Sequence, residues 1–367
     1  MTIPAESFPP TTDSQSTDEQ ATALPTMAAA IMRGAHHIEY GRIARPVVLP
    51  GHVLIRVQAN SVCGSDLHYW HEGRIGSAVV ATAFTPGHEF AGVVAEGSGD
   101  PFGLPDGTLV AVDPAQPCGH CYWCHQGNHH LCPNMTFVGA PPVPGAMAEF
   151  IAVPFSSVHP VPADFTATQA ALLEPLGVAM HALDLAKMRP GTHLAILGAG
   201  TIGLYVLMLA QISGALSTAV IEPLAYRRQK ALELGATQVF EDVASYQASV
   251  RDTPARGADV VIEATTSPLG PRHATEAVRI GGKVVLVGIP DGDEFSLTGS
   301  LVRRKGLTIK LSRRMGDIYP RAIEFVQSGR IDVNAIVTHT LPLSQVRQAF
   351  EMLADYQDDA IKVVLEP

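Results

Sequence analysis

His193-Leu194-Ala195-Ile196-Leu197-Gly198-Ala199-Gly200-Thr201-Ile202-Gly203 joins an apolar run to three glycines spaced G-x-G-x-x-G. The run suits a strand buried on both faces, and a helix is expected to follow over Ile202 to Ile212. The glycines have separate tasks. Gly198 permits a tight turn, Gly200 lets the backbone approach a pyrophosphate, and Gly203 lets helix and strand pack closely. The helix N-terminus offers free N–H groups and partial positive charge to phosphates. Glu222 ends the next apolar run, Thr218 to Ile221. There it can accept hydrogen bonds from both ribose hydroxyls, and its charge repels a 2′-phosphate, which favours NAD over NADP. Arg227 and Arg228 are close enough in sequence to soften that exclusion.

The alternation continues outward. A helix is expected around Arg227–Leu234, a strand at Asp259–Glu263, a helix at Ala274–Arg279 and a strand at Val284–Gly288. Gly288 is a further candidate cofactor contact. Strand and helix in strict turn imply an α/β fold with a doubly wound parallel sheet of the Rossmann type, assigned to residues 178–312. Residues 27–177 have a different texture: short apolar runs such as His52–Val57, Ala91–Val94 and Thr108–Val112, broken by Gly and Pro. That pattern reads as a β-barrel domain. After Lys310 a helix is expected at Tyr319–Gln327. Residues 1–26, rich in Thr, Ser, Pro and acids, read as a disordered tail.

Composition supports this division. A chain of 367 residues suggests two domains, and 46% hydrophobic content with 33 Gly and 28 Pro is globular and rich in turns. The balance of 25 Lys+Arg against 35 Asp+Glu, a net charge of −10, argues against a nucleic-acid partner. No stretch reaches the roughly 18 apolar residues of a membrane span, and no basic, apolar leader opens the chain. The expectation is a cytoplasmic protein with no membrane partner.

Four of the five cysteines, Cys118, Cys121, Cys124 and Cys132, stand at C-x2-C-x2-C-x7-C. In a reducing compartment such a cluster holds metal. Four thiolates close a tetrahedron around zinc and leave no position for substrate, so this site is structural and organises a lobe over about 114–143. His120, His125, His129 and His130 are then surface groups or supporting partners. The fifth cysteine, Cys63, opens Cys63-Gly64-Ser65-Asp66-Leu67-His68-Tyr69-Trp70, and Gly87-His88-Glu89 follows further on. A catalytic zinc needs about three protein ligands and one open position. Cys63 and His88 are natural ligands, with Glu89 or Glu174 completing the shell.

GHE, the cysteine lobe, Gly145-Ala-Met-Ala-Glu-Phe150 and GAGTIG occur in an order and at separations that resemble the zinc-dependent medium-chain dehydrogenase/reductases. CGSDLHYW (63–70) with Leu173-Glu174-Pro175-Leu176 is similar to the polyol branch, the sorbitol (L-iditol) and xylitol dehydrogenases. The resemblance implies a GroES-like catalytic domain completed by residues 313–367, and a homo-oligomer, tetramer or dimer. It implies two zinc ions and NAD, with Cys63, His88, Glu89 and Glu174 around the catalytic zinc and Ser65 opening a proton relay. Ile202, Glu222 and Arg227 match positions that contact NAD, and Arg314 matches an arginine on substrate or cofactor. The implied reaction is hydride transfer from a secondary alcohol, a small-molecule polyol, to NAD. Threonine, butanediol and sugar-acid dehydrogenases share the ligands. The pair Arg313-Arg314 stands where the branch has Phe-Arg, which makes a carboxylated substrate thinkable. A silent, zinc-stapled NAD-binding protein is the non-enzyme alternative, and the intact Cys63, Ser65, His88 and Glu174 argue against it.

Overall fold

The computed structural model describes residues 25–96 and 103–367. The tail expected over 1–26 therefore lies, up to residue 24, outside the described residues.

Six parallel strands form one sheet in the order Gln238–Phe240, Ser217–Ile221, His193–Leu197, Ala258–Glu263, Val278–Leu286, Thr308–Leu311. The chain starts in the middle, winds outward one way, then returns to start the other half. The crevice at the carboxyl ends of His193–Leu197 and Ala258–Glu263 is the switch point where such sheets hold ligands. Alternation along the founding strand explains its unbroken apolar text. Leu194 and Ile196 pack into one core, Ala195 and Leu197 into another on the opposite face. One expected helix differs. It spans Gly270–Ala277 rather than 274–279, and Val278 already begins a strand. Pro271 is the reason: in the first helical turn a proline loses no needed hydrogen bond, so it starts the helix rather than delaying it.

The second large sheet is mainly antiparallel, in the order Val158–Pro160, Leu109–Val112, Glu89–Val94, His52–Ser61, Lys362–Glu366, Val337–Pro342, with Phe150–Pro154 also paired to His52–Ser61. The long central strand His52–Ser61 shifts register between Val57 and Ala59, and its far end pairs with the C-terminal strand through Ser61 and Val364. Residues more than 300 positions apart thus meet just before Cys63. A helix over Leu173–Ala186 runs between the two parts of the chain, and the largest apolar cluster includes Ala59 and Ala91 from one sheet with Ile196 and Ile262 from the other. Among the described residues no helix is long and apolar enough to cross a membrane.

The cysteine lobe holds only short elements: Ala115–Gln116 paired to Thr136–Phe137, one helical turn at Tyr122–His125, and a 3₁₀ turn at His129–Leu131. A helix at Gly64–Glu72, which the apolar pattern did not announce, carries Ser65 and His68.

Candidate active site and metal centres

Cys63 caps the helix Gly64–Glu72, and its backbone N–H donates to the Asp66 carboxylate at 3.0 Å. His88 and Glu89 come from the start of the neighbouring strand. One ligand atom each from Cys63, His88 and Glu89 lies within 4.8 Å of the others. The Nδ1 of His88 is 3.7 Å from Asp66, while its Nε2 is 3.4 Å from the Ser65 hydroxyl. A carboxylate behind one ring nitrogen leaves the other for a metal. Glu174, in the first turn of Leu173–Ala186, is buried but is not part of the three-residue group.

The electrostatics say what the group is suited to hold. Burial pushes the Cys63 thiol well above its usual range, and the Glu89 carboxylate adds to the rise. Burial likewise raises Glu174, again with Glu89 contributing. Glu89 behaves differently. Burial would raise it, but Lys362, His88 and the Ser61 hydroxyl together hold it below the usual carboxylate range. A thiol and several carboxyls gathered out of water want a divalent cation, and the donor set of Cys, His and carboxylate is that of an open zinc site. The residues therefore fit the metal.

The lobe fits a second one. Sγ to Sγ separations are 3.5 Å for Cys121 to Cys124, 3.5 Å for Cys118 to Cys132 and 3.9 Å for Cys121 to Cys132. A tetrahedron with Zn–S of about 2.3 Å needs sulfurs about 3.8 Å apart. None of the four neighbouring histidines joins this group. His120 bonds its own loop at the Cys118 carbonyl, 2.7 Å away, and His130 packs edge-on to His181.

In the crevice of the parallel sheet each glycine has a local cause. A Cβ on Gly203 would lie 1.9 Å from the Gly198 carbonyl oxygen, and one on Gly288 would lie 2.0 Å from that of Thr265. At Gly200 a Cβ would meet nothing within 4 Å, so that face is open for a ligand. Glu222 accepts from the backbone N–H of Ala199 at 2.7 Å and of Leu224 at 3.0 Å. It therefore braces the glycine loop as well as ending the strand. Arg228 donates to the carbonyls of Glu222 and Pro223, both at 2.7 Å, so its cation is already engaged. Arg227 keeps a buried Nε with no partner and lies over the Tyr356 ring.

The two arginines at 313 and 314 diverge. Arg313 donates to the Cys132 carbonyl of the lobe at 3.2 Å. Arg314, in the left-handed conformation at φ 55°, lies 3.4 Å from the centroid of Phe137 and within electrostatic reach of Glu174 and Tyr69. Sequence reasoning missed Asp66, Phe137 and Lys362. Asp66 had a legible signal in the helix cap; the others had none.

A doubly wound sheet with an open glycine crossing, set beside a buried Cys–His–carboxylate group in a β domain, defines a two-domain, dinucleotide-linked metal dehydrogenase. Comparison with known proteins agrees. Residues 49–163 match the alcohol dehydrogenase GroES-like domain, and residues 201–328 match the zinc-binding dehydrogenase family. The chain is 35% identical over 352 residues to a sorbitol dehydrogenase of Bacillus subtilis, covering 94% of this chain and 99% of that protein. It is 34% identical over 330 residues to an L-threonine 3-dehydrogenase of Caldanaerobacter subterraneus, covering 88% and 93%. Among solved structures, an Escherichia coli oxidoreductase of unknown specificity superposes with a TM-score of 0.84 at 33% identity, covering 93% and 99%. The chain belongs to the zinc-binding dehydrogenases with a GroES-like domain, and it is an enzyme of that family.

Proposed function

We propose that the protein oxidises a secondary alcohol of a small polyol to a ketone, with NAD as hydride acceptor and two zinc ions, one catalytic and one structural. The observation that carries this reading is the grouping of Cys63, His88 and Glu89 within 4.8 Å beside the Ser65 hydroxyl. The division that goes with it is a GroES-like part over 27–177 completed by 313–367, with the cofactor part over 178–312 between them. Cys63 and His88 would hold the catalytic zinc, with Glu89 and Glu174 completing or flanking its shell, and the four lobe cysteines would hold the other. A zinc ion in the first site supplies Lewis acidity that brings an alcohol proton within reach of a neutral acceptor.

The chain's own residues do the rest. Ser65 takes up the substrate proton, and His68, one turn along the same helix, reaches the Ile289 carbonyl at 3.1 Å, just after Gly288 of the cofactor crevice. The open face at Gly200 and the helix N-terminus at Thr201 seat the pyrophosphate. Glu222, rather than a cation, would meet the adenosine ribose of a bound cofactor, which favours NAD. Arg314 and Tyr69 border the site and orient hydroxyl groups. A polyol is preferred to a sugar acid because Arg313 is held by the lobe and does not pair with Arg314 to clamp a carboxylate. The similarity to a sorbitol dehydrogenase supports the same choice.

The test is a panel of polyols, sugar acids, threonine and diols, followed by NADH absorbance with and without a chelator. Chelator-sensitive turnover of polyols is expected. Full activity in a metal-free preparation, or turnover restricted to threonine, would overturn the reading.

A further inference from the structure

Lys362 is 1% exposed and stands at the start of the C-terminal strand, in the apolar run Ile361-Lys362-Val363-Val364-Leu365. A buried ammonium is costly unless paired and fully hydrogen-bonded. Its Nζ reaches two acceptors: the Val62 carbonyl, one residue before Cys63, at 3.0 Å, and the Glu89 carboxylate at Oε2. The Ser61 hydroxyl donates to that same oxygen. Two donors therefore converge on one oxygen of a carboxylate that also belongs to the Cys63, His88, Glu89 group. A carboxylate with both oxygens free can chelate a metal through both. One whose Oε2 is tied down has a single oxygen to offer.

We propose that Lys362 is a positioning residue for the metal centre: with Ser61 it reserves Oε2 of Glu89, limits that residue to one oxygen toward the metal, and so keeps a coordination position open for substrate. The inference rests on the catalytic-metal reading above and adds a specific cause for the open position. The Val62 carbonyl ties the same cation to the backbone beside Cys63, so the lock and the ligand loop are one unit. The Lys362 ammonium bonds the Glu89 carboxylate and the Val62 carbonyl, and Ser61 joins the lock through the same Glu89 oxygen.

The test uses the full-length enzyme with cobalt in the catalytic site, whose visible spectrum reports coordination number. Loading itself is the control: one equivalent of metal that is lost in Cys63→Ala upholds the site, and its absence sinks the catalytic-metal reading before Lys362 is considered. Given loading, Lys362→Met should weaken the tetrahedral cobalt bands, lower imidazole affinity at the metal, and cut polyol kcat/KM by about 10–100-fold. Because the single variant strands a buried carboxylate and could fail to fold, the double variant Lys362→Met/Glu89→Gln is made beside it. It removes both charges, and its neutral amide chelates poorly, so imidazole binding and the tetrahedral bands should return. A folded Lys362→Met with the wild-type spectrum and imidazole affinity would overturn the proposal. So would a double variant that folds, binds cobalt and still lacks the open position.

Discussion

Glu222 braces the glycine loop and, on the proposed reading, also meets the cofactor ribose, and Glu222→Gln separates the two. Its carboxylate is 4% exposed and bonds two backbone N–H groups, those of Ala199 and Leu224. The amide keeps one oxygen acceptor but turns an NH2 toward the other N–H. One buried donor is left without a partner, which costs about 1–3 kcal/mol of stability. The charge is lost as well. A carboxylate would repel a 2′-phosphate charge placed about 5 Å away by about 1.7–3.3 kcal/mol at an effective dielectric of about 20–40. Relief of one such interaction raises the NADP to NAD ratio of kcat/KM by about 15- to 250-fold, toward the low end because the crevice is open to water. Arg228 does not add to the gain, since it already serves the Glu222 and Pro223 carbonyls. The assay pairs urea unfolding with initial rates in the two cofactors, read by nicotinamide absorbance. A loss of stability with an unchanged cofactor ratio would show that Glu222 only braces the glycine loop, and the reasoning on the ribose would fall.

Metal analysis should give about two zinc equivalents per chain, with Cys63→Ala and Cys121→Ser each retaining about one; Cys121→Ser should also lower the thermal midpoint, because the lobe has few elements of its own. Arg313→Ala should speed metal loss from the lobe and leave polyol kcat/KM unchanged, whereas Arg314→Ala should lower kcat/KM about tenfold for the loss of one charge-assisted contact. Burial raises the Asp113 carboxyl to about 6. The folded state therefore binds this proton more tightly than the unfolded chain does. The contribution is favourable below about pH 4 and is lost as pH rises through about 6. Asp113→Asn should thus stabilise the protein at about pH 8, by up to about 3 kcal/mol, and not at about pH 4. Equal urea midpoints for wild type and variant at both pH values would refute the assignment.

The sequence alone was enough wherever the determining contacts are close along the chain. Gly198, Gly200 and Gly203 and the apolar run before them define the crossing because the turn is only a few residues long: at Gly198 and Gly203 its sterics admit no Cβ, and at Gly200 the face stays open. The four lobe cysteines are legible for the same reason: short spacings bring sulfurs together whatever the rest of the fold does. Cys63 and His88 were readable as ligand types, and the family resemblance placed them together. The tertiary structure alone decided what approaches from far away. Arg313 and Arg314 are neighbours in sequence, yet one serves the lobe and the other faces the site, a choice made by the backbone turn at Arg314. Lys362 reaches Glu89 from 273 residues away because the last strand is laid beside His52–Ser61. In the text it is a lysine in an apolar strand, a residue normally given to water. Only strand order turns it inward, and strand order depends on long-range pairing that no local pattern of residues encodes.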